Sequence, residues 1–141
     1  FDEITEKAYA YGIGIADNNL IDEINILQAT YCAMRQAVEN ACIMASFKPE
    51  IAMIDHVTIP DFDADIKQFS LTHGDALSVT IGAASILAKV TRDRIMVEYA
   101  EKYPGYGFEK HKGYGTKAHY EAIRSLGISE IHRKSFLKKV H

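Results

Sequence analysis

With 141 residues, 48% hydrophobic and 25% charged, three prolines and no repeat or low-complexity tract, the chain fits one soluble domain large enough to bury a core, which excludes fibrous and disordered classes. Charges interrupt every apolar stretch well short of about 18 residues, which excludes a membrane-spanning helix, and no signal-peptide pattern is present. The formal net charge of −3 hides an asymmetry: residues 1–88 carry 4 Lys/Arg against 13 Asp/Glu, whereas residues 89–141 carry 12 against 6, with four of the six histidines.

In chain order, ITEKAYA reads as the end of a helix, and YAYGIGIA alternates like a strand carrying two glycines. After DNNLID, apolar residues at Ile24, Leu27, Tyr31, Met34, Val38 and Ala41 recur at spacings of three and four. That pattern predicts one amphipathic helix, with Met34 in the core rather than on a ligand. Cys32 and Cys42 both fall in it, about 15 Å apart along the axis, so a mutual disulfide is excluded. They read as core thiols of a reducing cytosol, without the spacing of a zinc site. Lys48 and Pro49 end the pattern, and EIAMID follows as a short, nearly continuous apolar run of the buried-strand kind, ending on Asp55. HVTIPDFDAD reads as a loop and IKQFSLT as a second strand leading to Gly74 and Asp75. Residues 76–102 read as one long helix, whose small residues Gly82, Ala83, Ala84, Ser85 and Ala88 let it lie close to a sheet. A glycine-rich loop, YPGYGFEKHKGYGT, precedes a helix over 117–126 that Gly127 stops, and a polar tail closes the chain. Strand, helix, strand, helix in this order indicates an α/β layered domain.

Ligands of open α/β sheets gather beyond the carboxyl ends of strands, where Asp55 stands. A charge ending a buried apolar strand has to be solvated, paired or bound to a metal. Asp75 admits two readings: N-cap of the helix that follows, or a functional carboxylate at the same rim as Asp55. Two converging carboxylates without thiol or paired histidine ligands make a hard-oxygen site suited to Mg²⁺ or Mn²⁺. Asp93 lies five helical turns, about 27 Å, beyond Asp75 and cannot share such an ion. Flanked by Arg92 and Arg94, it reads as a salt-bridge partner. Asp61, Asp63 and Asp65 lack the glycine and closing glutamate of a calcium loop and read as solvated acids. The basic segment is interleaved with Tyr99, Tyr103, Tyr106, Tyr114 and Tyr120. It is either a surface that meets a phosphate backbone or a solvated face whose tyrosines anchor in the core.

INILQATYCAMRQAV, MID, GDALSVTIGAASILAKVTRDRIM, YPGYGFEKHKGYGTKAH and HRKSF occur in one order and at one set of spacings, and together they resemble ribonuclease HII, the type 2 ribonuclease H. The resemblance covers essentially the whole chain and is most specific from Gly74 to Thr116. It implies an RNase H-like α/β fold, a layered sheet-and-helix domain with a C-terminal helical region. It also implies hydrolysis of the RNA strand of RNA/DNA hybrids, and of single ribonucleotides in duplex DNA, by two-metal phosphodiester hydrolysis with Mg²⁺ or Mn²⁺. Asp55 matches the aspartate that ends the family's IDG strand and Asp75 the aspartate of its GD step, both metal-binding there. Tyr114, in HKGYGT, matches the tyrosine that packs on the deoxyribose beside the RNA-to-DNA junction, and Lys112 and the neighbouring basic residues would be phosphate contacts.

Two departures from the family pattern stand out. His56 occupies the position of its usual glycine. The family's N-terminal strand, with an adjacent Asp-Glu pair and a GRG loop that reads the 2′-hydroxyl, has no counterpart in these residues, since Asp2-Glu3 and Asp22-Glu23 both sit in helix-like contexts. Because the chain also opens on Phe1 rather than Met, the expectation is a single, N-terminally incomplete ribonuclease HII-like domain over residues 1–141, inactive on its own, cytoplasmic and monomeric, acting on RNA/DNA hybrid or ribonucleotide-containing duplex and not on membranes. The alternatives are a duplex-binding module that has lost catalysis, and a generic α/β domain whose Mg²⁺ site serves another phosphate ester.

Overall fold

The computed structural model describes residues 1–137 and pairs two strands in parallel, β1 (Ile51–Asp55) and β2 (Lys67–Leu71), in register from Ile51 opposite Lys67 to Asp55 opposite Leu71. Alternation along β1 buries Ile54 and leaves Met53 on the opposite face, 44% exposed beside its cross-strand partner Phe69. Parallel strands usually need a helical crossover. Here the connection is a loop over 56–66, held by its own contacts. Gln68 donates to the Ile59 carbonyl (2.9 Å) and accepts from its N–H (2.8 Å), Arg35 donates to the Pro60 carbonyl (2.8 Å), and Ile59 and Ile66 are buried. The loop acids are partly paired rather than simply solvated: Lys48 lies 2.7 Å from Asp63 and 3.5 Å from Asp65.

Helix α1 (Asp2–Lys7) is followed by an extended segment that corrects the sequence reading of YAYGIGIA. A strand is a pairing state, and among the described residues no neighbouring strand takes this backbone. Side chains of the next long helix take it instead: Gln36 accepts from Ile15 N–H (2.8 Å) and Asn40 donates to the Ile13 carbonyl (2.9 Å). Gly12 and Gly14 permit that contact, since a Cβ on either would fall within 2.0 Å of the Ala37 or Ala33 carbonyl oxygen.

The helix expected from the apolar spacing of Ile24 to Ala41 is α3 (Ile26–Ala45), with Ile24 alone belonging to a separate α2 (Asn18–Ile24), because Asn25 adopts φ 70° and caps α3, accepting from Leu27 and Gln28 N–H at 3.0 and 3.1 Å. Its deepest residue is Ala29, while Met34, Cys32 and Cys42 are half-buried, so the thiols are not core residues. The helix read over 76–102 is likewise divided. A single turn, α4 (Gly74–Leu77), is separated from α5 (Val79–Lys102) by Ser78, whose hydroxyl accepts from Ile81 N–H and caps α5. The cap reading of Asp75 is thereby corrected: the long helix begins one turn later, on Ser78.

The C-terminal part holds the best-packed core. Short helix α6 (Phe108–His111) contributes Phe108, 1% exposed, which stacks on Tyr106 (5.3 Å between centroids) and packs with Met96 of α5 and Ile123 of α7 (Lys117–Leu126). Helix α7 starts and stops as its sequence predicts, on the Thr116 side-chain cap and on Gly127 at φ 84°. Asp22 of α2 accepts from Lys134 and Ser135 N–H (2.8 and 2.9 Å) and from the Ser135 hydroxyl, at the start of a 3₁₀ turn at Lys134–Phe136. Those bonds, the Ser135 hydroxyl foremost, hold the Asp22 carboxyl below the usual carboxylate range. No helix among the described residues is long and apolar enough to cross a membrane.

Candidate functional site

Asp55 is the last residue of β1, and its carboxylate reaches across to the start of α4, where Oδ1 accepts from Gly74 N–H at 2.8 Å. Gly74 is buried in that contact: a Cβ there would sit 2.6 Å from the Ile81 side chain and 3.4 Å from the Asp55 oxygen, so a residue without a side chain is needed for the turn to close on the strand end. Asp75 follows at once, in the first turn of α4, with Oδ1 accepting from Ala76 N–H at 3.0 Å. The residue bonded to Asp55 thus immediately precedes Asp75 in the chain, and both aspartates are exposed. Each keeps an oxygen clear of these two bonds. That arrangement fits a hard divalent cation held by oxygen donors. It is a partial set, since among the described residues no group of three or more His, Cys, Asp or Glu converges to hold a metal ion.

His56 lies at φ 63°, in the left-handed region that glycine enters without a Cβ clash. The turn beyond Asp55 thus keeps a glycine-like conformation at a cost. His56→Gly is expected to stabilise the fold by up to about 1 kcal/mol, read as a raised denaturation midpoint. A lowered midpoint would show that the imidazole makes a compensating contact.

Asp93 is a salt-bridge partner as read, and its cation is Lys89, at 3.5 Å. Arg92 donates to the Lys112 carbonyl (2.9 Å), and Arg94 lies over the Phe1 ring. These side chains of α5 define the second part of the site. Tyr114 is 55% exposed, and Arg92 and Lys89 approach its ring, at 5.5 and 6.0 Å from the centroid. Lys112 is half-buried, at φ 49°, and its ammonium donates to the Glu109 carbonyl of its own loop. The cations that lie against the Tyr114 ring are Lys89 and Arg92, which the sequence reading did not single out. Their spacing of three on a helix that passes the tyrosine loop was the available signal.

Also missed were two buried histidines, His119 on α7 and His132 in the tail, each 6% exposed and 3.1 Å apart through their Nε2 atoms. Burial pushes His119 below the usual 6.5, the bond to the Tyr114 carbonyl opposes this, and the stacked His111 adds to it. Burial also depresses His132, with His119 adding to the effect. The unfolded chain therefore takes protons on these rings at a higher pH than the folded chain does. Their contribution to stability is complete above 6.5 and is lost as the pH falls through 6.5 toward the lower folded values. Thermal melts taken from about pH 7.5 down to about pH 5.5 should show a falling midpoint. Asp22 does not act in that window, because its own loss begins only near the carboxylate value of 3.8. A midpoint that holds or rises would contradict neutral, buried rings.

The family model described as Ribonuclease HII matches residues 3–139. The chain is 54% identical over 140 residues to the Ribonuclease HII of Clostridioides difficile, covering 99% of this chain and 52% of that relative. It is 54% identical over 136 residues to the Ribonuclease HII of Bacillus cytotoxicus, covering 96% of this chain and 50% of that one. To that of Ligilactobacillus salivarius it is 50% identical over 142 residues, covering 99% and 53%. The chain spans about half the length of the curated relatives it matches.

Proposed function

Because the chain belongs to the ribonuclease HII family, we propose that the protein it represents is an endoribonuclease that hydrolyses the RNA strand of RNA/DNA hybrids and cuts at single ribonucleotides in duplex DNA. The observation that supports this reading is the hydrogen bond from Gly74 N–H to Asp55 Oδ1, which ties the strand end that carries Asp55 to the turn that carries Asp75. Residues 1–141 are read as one domain, with β1 and β2 as part of a layered RNase H-like sheet. The exposed apolar pair Met53 and Phe69, on the face opposite buried Ile54, supports further layers there.

Asp55 and Asp75 would hold Mg²⁺ or Mn²⁺ through their carboxylate oxygens. Divalent ions bound there supply a water made acidic enough to attack at neutral pH and charge stabilisation for the leaving 3′ oxygen. Gly74 N–H fixes one oxygen of Asp55 and so orients the other. Tyr114 would pack its ring on a sugar at the junction, while Lys89 and Arg92, with Lys112 if a phosphate draws its ammonium from the Glu109 carbonyl, would contact the backbone and place the duplex without reading its sequence. The 141 residues alone carry two of the four carboxylates the family pattern uses, so expressed alone they are expected to cleave little or not at all.

The test is an incision assay with the protein as its gene encodes it, on a DNA duplex carrying one ribonucleotide and on an all-RNA/DNA hybrid, with Mg²⁺ or Mn²⁺ supplied. Metal-dependent cleavage of both supports the proposal. Binding of both duplexes without incision under either ion would replace it with a duplex-binding role, and hydrolysis confined to small phosphate esters would replace it with another chemistry.

A further inference from the structure

His119 and His132 are buried, and the cleavage chemistry has no use for them, yet one of them touches the residue read as the substrate's aromatic contact. The contacts assign each ring one tautomer. His132 Nδ1 accepts from Ser129 N–H (3.1 Å), so its proton is on Nε2 and is donated to His119 Nε2 at 3.1 Å. His119 then carries its proton on Nδ1, which donates to the Tyr114 carbonyl at 2.9 Å. The stacked His111 accepts from Gly113 N–H on Nδ1 (3.2 Å) and donates from Nε2 to the Tyr106 carbonyl (2.8 Å).

The remaining backbone bonds of Tyr114 are local: its N–H donates to the His111 carbonyl (2.8 Å) and its carbonyl also accepts from Thr116 N–H (2.8 Å). The flanking residues are a weak scaffold, with Lys112 at φ 49°, Gly113 at φ 77° and a second glycine at 115. Beside the bonds from Arg92 to the Lys112 carbonyl and from Gly113 N–H to His111, His119 ties Tyr114 itself to the core, through a ring packed edge-on against Phe108 and a relay that ends at His132.

We propose that His119 is a positioning residue for Tyr114, setting the attitude of the exposed ring through the Nδ1 hydrogen bond to the Tyr114 carbonyl and held in its tautomer by His132. The proposal rests on the reading of Tyr114 as a substrate contact. A histidine that merely fills space would tolerate an apolar residue of similar size, whereas a positioning histidine needs a donor at the place of Nδ1. Asparagine supplies that donor and leucine does not.

The experiment uses the protein as its gene encodes it and a duplex with one embedded ribonucleotide. His119→Leu is expected to lower kcat/KM about fivefold or more, with His119→Asn recovering most of the loss, and His119→Leu costing almost nothing further once Tyr114→Ala is present. Equal losses for Leu and Asn, or a leucine penalty that persists undiminished in the Tyr114→Ala background, would overturn the proposal while leaving Tyr114 as a contact. If Tyr114→Ala alone is silent, the reading of Tyr114 fails and the proposal fails with it. Nitrogen NMR of the unmodified protein gives a check that does not depend on any variant folding: a proton found on His119 Nδ1 supports the assignment, and one found on Nε2 overturns it.

Discussion

Asp75→Asn and Asp55→Asn, each made in the protein as its gene encodes it, are expected to lower the cleavage rate by about 10³-fold or more while leaving duplex affinity and thermal midpoint nearly unchanged. Both side chains are exposed, so neither substitution opens a cavity. The Asp55→Asn side chain keeps an amide oxygen that can still accept from Gly74 N–H, so the turn onto β1 survives the change. What is lost is one negative charge at a rim where divalent ions are to be held against phosphate, and hard cations prefer carboxylate oxygen to amide oxygen. Incision rates under saturating metal, set beside melting curves, read the two effects separately. Variants that keep more than about a tenth of the wild-type rate under saturating Mg²⁺ would remove these aspartates from the metal site.

The parts of this architecture that were legible in the sequence are those written in local chemistry. Asp55 at the end of an apolar run, the Gly-Asp step before a helix, and α7 between a threonine cap and a glycine stop were all legible, because strand propensity and helix capping depend on residues within a few positions of each other, whereas the burial expected of β1 was not, since only Ile54 is buried and Ile51 and Met53 are exposed. The helix breaks at Asn25 and Ser78 were written there too, since Asn and Ser are cap residues, but the apolar periodicity on either side overrode them. The misread strand around Gly12 failed for a different reason. Alternation shows that a segment is extended, not what it pairs with, and here the partners are Gln36 and Asn40 of a helix. Contacts between distant positions were invisible altogether: Asp22 with Ser135, and His119 with His132, depend on the tail folding back over α2 and α7. Lys112 shows the limit for charge. Its position in a basic, glycine-rich loop was plain, but not that its ammonium turns to the Glu109 carbonyl and leaves Lys89 and Arg92 beside the tyrosine.

Tyr114→Ala is expected to separate two substrates that the carboxylate variants treat alike. A ring that is 55% exposed contributes little to the core, and the hydrogen bonds that shape its loop belong to its backbone, from Tyr114 N–H to His111 and from its carbonyl to Thr116 and His119, so they persist when the side chain is cut back. The melting temperature should therefore move little. Stacking of an aromatic side chain on a base is worth about 1 to 3 kcal/mol, which is the upper bound for packing on a sugar, and the proposed contact matters most where a single ribonucleotide offers one junction to find. Cleavage at an embedded ribonucleotide should fall by up to that much in activation free energy, whereas an all-RNA hybrid, with alternative registers along the strand, should lose less. Tyr114→Phe keeps the face and drops only the hydroxyl, so it should stay near wild type on both substrates. Arg92 and Lys89, which approach the same ring, give the contrasting pattern: removing either weakens attraction to the phosphate backbone, so both substrates should lose together and the loss should shrink as salt is raised. Equal losses for Tyr114→Ala on both substrates, with a lowered melting temperature, would return the tyrosine to a packing role and leave junction recognition to other residues.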